Sequence, residues 1–282
     1  MLNINIAVIS GKGGTGKTLV ATNLAPILKA NYIDADVEEP NGFIFLKPKV
    51  IKTYKVKTSI PKIDQVKCQQ CYKCIDFCEF NVLAKAQDKI LVFDKLCHSC
   101  GGCKLVCEYD AIRYIKKEIG HISIGTYKEI ECRQGILKIG ELMAVPLIEE
   151  LLSKLKNELN IIDSSPGTSC NVVSTLSYAD SCLLITEPTQ FGLHDLKRAV
   201  SLVRKFKIPF GVIINRAMKG NDLIEKYCQT EKINVIGQIP YDVTIAKLYS
   251  EGKLLIEQEK YKKEFTKLGK IIKEFLLCNL QS

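Results

Sequence analysis

Unbroken apolar runs punctuate this chain: Ile4 to Ile9, Tyr32 to Ile33, Ile161 to Ile162, Cys182 to Ile185, Phe210 to Ile214 and Val235 to Ile239. They do not alternate with polar residues. A strand that is apolar on both faces is covered on both, so these runs predict buried parallel strands. Helical spacing fills the intervals over Gly16 to Lys29, Pro146 to Glu158, His194 to Phe206, Leu223 to Cys228 and Lys260 to Leu277. Strands alternating with helices of this length predict an α/β fold with a doubly wound, mostly parallel sheet. The alternation stops between about residues 48 and 139. A β-rich stretch, His121 to Gly140, closes that interval and predicts a hairpin. The α/β domain is therefore expected to carry an insert.

The insert holds a short repeat. Cys68 to Cys78 (CQQCYKCIDFC) and Cys97 to Cys107 (CHSCGGCKLVC) share the spacing C-x2-C-x2-C-x3-C, offset by 29 residues. Eight of the thirteen cysteines lie there; Cys132, Cys170, Cys182, Cys228 and Cys278 are scattered. The start of the chain has no basic segment or small-residue cleavage site and reads as a first strand, not a signal peptide. No run of eighteen apolar residues occurs. These features predict a cytoplasmic protein, and cytoplasmic cysteines do not build a disulfide framework.

At 282 residues there is room for one large domain and a small insert. The formal charge of +9 suggests an anionic partner. The lysines, however, lack the interleaved aromatics of a base-stacking surface. No nucleic-acid partner is expected. The C-terminal stretch has Phe265, Leu268, Ile272, Phe275, Leu276 and Leu280 near helical spacing with lysines between them. That pattern suits a helix packed on the core or one lying on a membrane; the packed helix is the commoner outcome.

Directly after the first strand comes Gly11 to Thr18, GKGGTGKT. It matches the phosphate-loop pattern G-x-x-x-x-G-K-[ST] between a strand and a helix, where that motif must sit. Gly11, Gly13, Gly14, Thr15 and Gly16 bend the backbone so that its N–H groups face phosphate oxygens. Lys17 reaches the β- and γ-phosphates, and Thr18 takes Mg2+. A second lysine, Lys12, is not required by this pattern.

With that extra lysine the loop resembles the deviant Walker A motif of the MinD, ParA and nitrogenase-iron-protein group. The resemblance implies that Lys12 crosses to the nucleotide of a second copy, so that a homodimer forms in response to nucleotide. It implies further sites. Asp34 and Asp36 (YIDADVEEPN) stand at switch I, with Asp36 positioning the attacking water. Asp163 (NIIDSSPGT), followed by Pro166 and Gly167, resembles Walker B and switch II and would hold Mg2+ through water. Asn215 (VIINR) with Pro240 and Tyr241 (IPYD) would contact adenine. An asparagine at a strand end is also a common cap or turn residue. Thr186 to Leu196 (TEPTQFGLHDL) resembles the family's segment after the next strand. No chemistry is assigned to His194.

Each cysteine repeat resembles half of a bacterial two-cluster ferredoxin, in which the fourth cysteine ligates the other cluster. The resemblance implies crossed wiring: Cys68, Cys71, Cys74 and Cys107 on one [4Fe-4S] cluster, and Cys97, Cys100, Cys103 and Cys78 on the other. Zinc is the alternative, but its tetrahedral sites use C-x2-C pairs and leave a third cysteine without a role. Glu79 and Glu108 stand where such ferredoxins usually have proline. Ligation by His98 is not expected. Cys170 lies seven residues after Asp163, an offset similar to that of a cluster ligand in the nitrogenase iron protein. Its alternatives are a shared cluster, with Cys132 as a second ligand, or a buried structural cysteine.

Together these resemblances imply a MinD-superfamily ATPase, about 1–55 and 120–282, with an inserted ferredoxin domain, about 56–119. ATP/ADP, Mg2+ and two [4Fe-4S] clusters are the expected cofactors. The implied function is nucleotide-gated electron transfer to a redox or metallocluster partner protein. ATP-dependent assembly or carriage of an iron-sulfur or metal cofactor is the alternative.

Overall fold

A computed structural model describes residues 4–280. The chain divides into two compact units: Met1–Thr53 with Ile122–Ile136 and Ile148–Ser282, and Tyr54–His121 with Leu137–Leu147. They are called here the phosphate-loop unit and the cysteine unit.

Six predicted runs form β1 (Ile4–Ile9), β2 (Asn31–Asp34), β8 (Leu159–Asp163), β9 (Ser181–Thr186), β10 (Phe210–Ala217) and β11 (Asn234–Pro240). The remaining strands are β3 (Lys49–Ile63), β4 (Leu83–Ala86), β5 (Lys89–Val92), β6 (Ile112–Tyr127) and β7 (Ile130–Leu137). One nine-stranded sheet has the order β11-β10-β9-β1-β8-β2-β7-β6-β3. Its pairs from β11 through β7 are parallel. β6 and β7 make the expected hairpin through a two-residue turn, in which Lys128 has φ 53°. β3 runs against β6: Lys49 lies against Gly125, and Thr53 Oγ1 is 3.0 Å from Ser123 Oγ.

The helices are α1 (Lys17–Leu28), α2 (Gly42–Leu46), α3 (Lys73–Phe77), α4 (Gly102–Leu105), α5 (Val145–Leu152), α6 (Cys170–Leu176), α7 (Gln190–Phe206), α8 (Leu223–Thr230), α9 (Val243–Ser250) and α10 (Glu259–Leu280). α5 stops well before the predicted Glu158, because the chain turns at Ser153 to enter β8. α7 starts earlier than predicted, capped by the Thr189 hydroxyl, which accepts the Gly192 N–H.

Successive residues of β1 feed opposite cores, as the period of a strand requires. Ile6 and Val8 join a core with α1, α2, α9 and α10. Ala7 and Ile9 join a second core with α6, α7 and α8. Both faces are covered, so the strands read as unbroken apolar runs. The apolar face of α10 (Phe265, Leu268, Ile272, Phe275, Leu276) is spent in the first core. The side chain of Leu280 lies outside the described residues. Among the described residues no helix is long and apolar enough to cross a membrane.

Around the cysteines the buried cluster is much smaller: Ile63, Cys74, Val82, Leu83, Ile90, Cys103 and Ile112. The backbone of the cysteine unit repeats as its cysteines do. Left-handed residues recur at the same offset: Gln70 and Ser99 (φ 54° and 55°), Tyr72 and Gly101 (62° and 85°), Asn81 and Asp110 (53° and 43°). Five of these six are not glycine, so the curvature is imposed against local preference. Phe77 of the first repeat packs on Gly102 of the second, where a Cβ would come within 2.0 Å of its ring.

Candidate nucleotide and iron-sulfur sites

The phosphate loop follows β1 and opens α1, at the carboxyl ends of the parallel strands, where α/β sheets bind ligands. Gly14 and Gly16 adopt left-handed φ of 76° and 96°. A Cβ on Gly16 would lie 2.2 Å from the Asn215 amide nitrogen. Asn215 Nδ2 donates to the Thr15 carbonyl at 2.8 Å, and its Oδ1 accepts the Arg216 N–H at 2.9 Å. Asn215 thus braces the loop.

A cavity of about 360 Å3 is lined by Gly13, Gly14, Gly16, Lys17, Thr18, Asp36, Asn215, Arg216, Pro240 and Tyr241, among others. Gly11, Lys12, Thr15 and Asp163 do not line it. Gly11 is pressed on the backbone of Asp195, where a Cβ would meet the carbonyl oxygen at 2.2 Å. Thr15 is buried, and its hydroxyl has no hydrogen-bond partner among the described residues.

Beneath the cavity lies a dense set of charges. Asp34 and Asp163 face each other across β2 and β8. Burial pushes both carboxyls up, Asp163 to about 6, and the nearby Lys17 ammonium opposes the rise at Asp163. Burial lowers Lys17, against the pull of Asp163, Asp36 and Asp34. Asp163 Oδ2 accepts the Tyr32 hydroxyl at 3.0 Å, while Oδ1 is buried without a hydrogen-bond partner among the described residues. The Thr18 hydroxyl lies beside Asp163. A bare carboxylate oxygen next to a hydroxyl at a phosphate loop is a donor set that fits Mg2+ and its waters.

Asp34 closes the loop that carries Asp36. Its two oxygens accept the Asp36 N–H at 3.3 Å and the Gly42 N–H at 2.8 Å. Asp36 Oδ1 accepts the Ser165 hydroxyl at 3.1 Å, which joins the loop after β2 to the segment after β8. Burial raises the Asp36 carboxyl, and the Ser165 bond counters it. Gly42 has no room for a Cβ, which would fall 2.0 Å from the Tyr32 hydroxyl oxygen. Lys12 turns to its own chain, where its ammonium pairs with Glu187.

Pattern matching missed Tyr32, Gly42, Ser165, Glu187 and Arg216. Gly42 is the one with a visible signal, a glycine closing an acidic loop.

The eight cysteines line two cavities in the cysteine unit. Cys68, Cys71, Cys74 and Cys107 line one of about 20 Å3. Cys78, Cys97, Cys100 and Cys103 line another of about 590 Å3, with Phe77, Phe80, His98 and Tyr114. Equivalent cysteines share their exposure: Cys74 and Cys103 are buried, Cys71 and Cys100 exposed, the other four in between. Burial, and then the neighbouring Cys68, Cys103 and Cys107, push the Cys74 thiol up to about 11; burial also raises Cys97 and Cys103. Sulfur accepts backbone N–H groups at Cys97 (from Ser99, 3.4 Å) and Cys107 (from Ala111, 3.3 Å). Tyr114 Oη lies 3.0 Å from Cys103 Sγ. Each cavity is lined by four sulfurs, the ligand number of a [4Fe-4S] cubane. No three His, Cys, Asp or Glu among the described residues gather as ligands of a single ion. Glu79 lines the second cavity, and Glu108 pairs with Lys73. His98 stacks on Phe80.

Cys132 is fully buried on β7, paired in register with Tyr32, and burial raises its thiol to about 12. It is a core residue, which corrects its candidacy as a shared ligand. Cys170 is exposed at the first residue of α6 and is therefore not a buried structural cysteine.

A family model described as the CobQ/CobB/MinD/ParA nucleotide binding domain matches residues 6–256. An uncharacterized protein of Methanocaldococcus jannaschii is 33% identical over 261 residues, covering 89% of this chain and 91% of that protein. The iron-sulfur cluster carrier protein of Pyrococcus horikoshii is 24% identical over 261 residues, covering 84% of this chain and 74% of that one. Among solved structures, the septum site-determining protein MinD of Pyrococcus horikoshii, complexed with Mg-ADP, aligns with TM-score 0.60 at 18% identity, over 99% of this chain and 98% of that one. At that identity the likeness concerns the fold alone.

Proposed function

Because the chain belongs to the CobQ/CobB/MinD/ParA family of nucleotide-binding domains, we propose that it is an ATP-binding and ATP-hydrolysing iron-sulfur protein. Nucleotide-controlled dimerisation or switch movement gates electron transfer through two [4Fe-4S] clusters to a partner protein. The backbone from Gly13 to Thr18 and the Lys17 ammonium hold the phosphates. Thr18 and Asp163 hold Mg2+, which screens phosphate charge when bound. Asp36 orients the attacking water. Lys12 delivers a cation to the nucleotide of a second copy, as an arginine finger does. Asn215, Pro240 and Tyr241 border the base.

The observation that carries this reading is the sorting of the eight cysteines. Each cavity takes three cysteines of one repeat and the fourth of the other, in a chain that also has a complete phosphate loop. Bound clusters would supply one-electron transfer; the chain supplies the thiolates, their burial and the sulfur hydrogen bonds. The test is anaerobic purification with iron and sulfide assays, then ATPase rates with the clusters oxidised and reduced and candidate acceptors present. About eight irons and eight sulfides per chain are expected for two cubanes, with a rate that depends on redox state. Stoichiometric zinc without sulfide sinks the reading.

A second reading is favoured by the relatives named iron-sulfur cluster carrier proteins, such as that of Pyrococcus horikoshii. Here ATP controls the handing of a cluster to an acceptor. Iron that leaves the chain for an apo-acceptor upon ATP addition supports carriage; iron that stays while electrons leave supports transfer.

A further inference from the structure

Lys12 is held in place from both sides. Its loop is pinned by Gly11 against the Asp195 backbone. The Ser10 hydroxyl donates to the Lys12 carbonyl at 2.6 Å. Glu187 follows the last residue of β9, and its carbonyl accepts the Thr189 N–H at 2.8 Å. That carbonyl also fills the space where a Cβ on Gly192 would sit, 2.2 Å away. The main chain that carries the carboxylate is thus fixed. The Glu187 side chain is 12% exposed, against 33% for Lys12.

The same carboxylate has a second cation. Arg216 Nη1 donates to Oε2 at 3.0 Å while Lys12 takes Oε1. Arg216 is left-handed, at φ 54°, where β10 slips register between Ile214 and Ala217. A non-glycine residue in that region marks a position imposed by its surroundings. A bulge at a strand end is also a usual way to re-aim a side chain.

We propose that Glu187 is the positioning residue for Lys12: it keeps the ammonium on its own chain and yields it when a second copy presents a nucleotide. The proposal rests on the nucleotide-dependent dimer proposed above. A buried carboxylate that loses all partners is heavily penalised. Arg216 stays when Lys12 leaves, so the exchange does not strand the charge. Lys12 cannot serve its own Glu187 and a partner's phosphate at once. The pair therefore competes with dimerisation and sets how much nucleotide contact a dimer needs. Arg216 also lines the nucleotide cavity, so its pull on Glu187 is linked to what occupies that cavity.

The test uses the full chain with Mg2+ and a non-hydrolysable ATP analogue at concentrations that saturate each variant. Dimerisation is read by sedimentation velocity. Glu187→Gln frees Lys12 and is expected to tighten the dimer about tenfold, as loss of a charge-assisted hydrogen bond allows. Arg216→Ala leaves the whole carboxylate to Lys12 and is expected to weaken the dimer. A bracing role alone predicts weakening in both variants. Unchanged or weaker dimerisation in a Glu187→Gln protein that still binds nucleotide overturns the proposal. So does an Arg216→Ala dimer as tight as the wild type or tighter, which decides the matter even where Glu187→Gln fails to fold. A wild-type chain that stays monomeric at saturation overturns the dimer itself and this role with it. A wild-type dimer with an unshifted Glu187→Gln overturns only the role of Glu187.

Discussion

In the phosphate-loop unit the functional groups sit at the edge of two large apolar cores. Lys17, Asp34 and Asp163 are buried there, and their charges are balanced by one another and by backbone N–H groups. In the cysteine unit the core cluster around the cysteines is small, and Cys74 and Cys103 are themselves members of it. One site is held by its core; in the other, the proposed ligands are part of the core. At about this size a single small core supplies little stability, and a bound metal is one of the usual supplements. Ligand binding then doubles as folding energy.

The sharpest way to break this comparison is to remove iron. Under anaerobic chelation the cysteine unit should lose most of its amide-exchange protection, while β1, β8 and β9 keep theirs and nucleotide still binds. Equal protection in both units after iron loss would mean that the cysteine core stands without its ligands.

A smaller effect separates the two lysines. A charge-assisted hydrogen bond is worth about 1.5–3 kcal/mol. Removing the Lys17 donor from two phosphates should therefore weaken binding by about 100-fold or more. Lys17→Ala should fail in a fluorescent-nucleotide titration. Lys12→Ala, whose ammonium is outside the cavity, should bind within a few-fold of wild type but not dimerise or hydrolyse ATP. Comparable binding losses in both variants would contradict the division of labour.

Smaller again is the effect of a single sulfur. Cys78 lines the cavity of the other repeat. Cys78→Ser should damage the cluster assigned to Cys97, Cys100 and Cys103 and leave the neighbouring one intact, as resolved by electron paramagnetic resonance of the reduced protein. Damage confined to the cluster of Cys68, Cys71 and Cys74 would undo the crossed assignment.

How well each region could be read from sequence follows from the same difference. The parallel strands were legible because burial on both faces leaves unbroken apolar runs. β3 and the first half of β6 were not: runs such as KVIKTYKVK mix lysine with apolar residues, and β3 is an exposed edge strand. Charged edges are how sheets avoid further pairing, and they erase the hydrophobic signal. The short helix α6 was hidden in SSPGTSCNVV, since serine, glycine and threonine read as loop. The phosphate loop was legible because phosphate binding demands a fixed local spacing. Glu187 was not, because its meaning arises only across the sheet, 175 positions from Lys12. The left-handed residues Gln70, Tyr72 and Asn81 gave no signal either, since none is glycine.

The two cysteine cavities themselves differ, and that yields the smallest effect. Tyr114 Oη lies 3.0 Å from Cys103 Sγ in the second cavity. With Cys103 as a thiolate ligand, the hydroxyl is the donor. Hydrogen bonds to cluster sulfur stabilise the reduced, more negative state and raise the potential. Asp76 and Glu79 at the same cavity work the other way, but exposed carboxylates are screened by water and salt. The hydroxyl, in direct contact with the ligand, should dominate. A net hydrogen bond of about 0.5–1.5 kcal/mol corresponds to about 20–60 mV for one electron. Tyr114→Phe should therefore lower one midpoint potential by about that amount and leave the other unchanged, with iron content held at the wild-type value. The readout is a redox titration followed by electron paramagnetic resonance. Two unmoved potentials at full iron content would mean that the contact packs the cavity without tuning it.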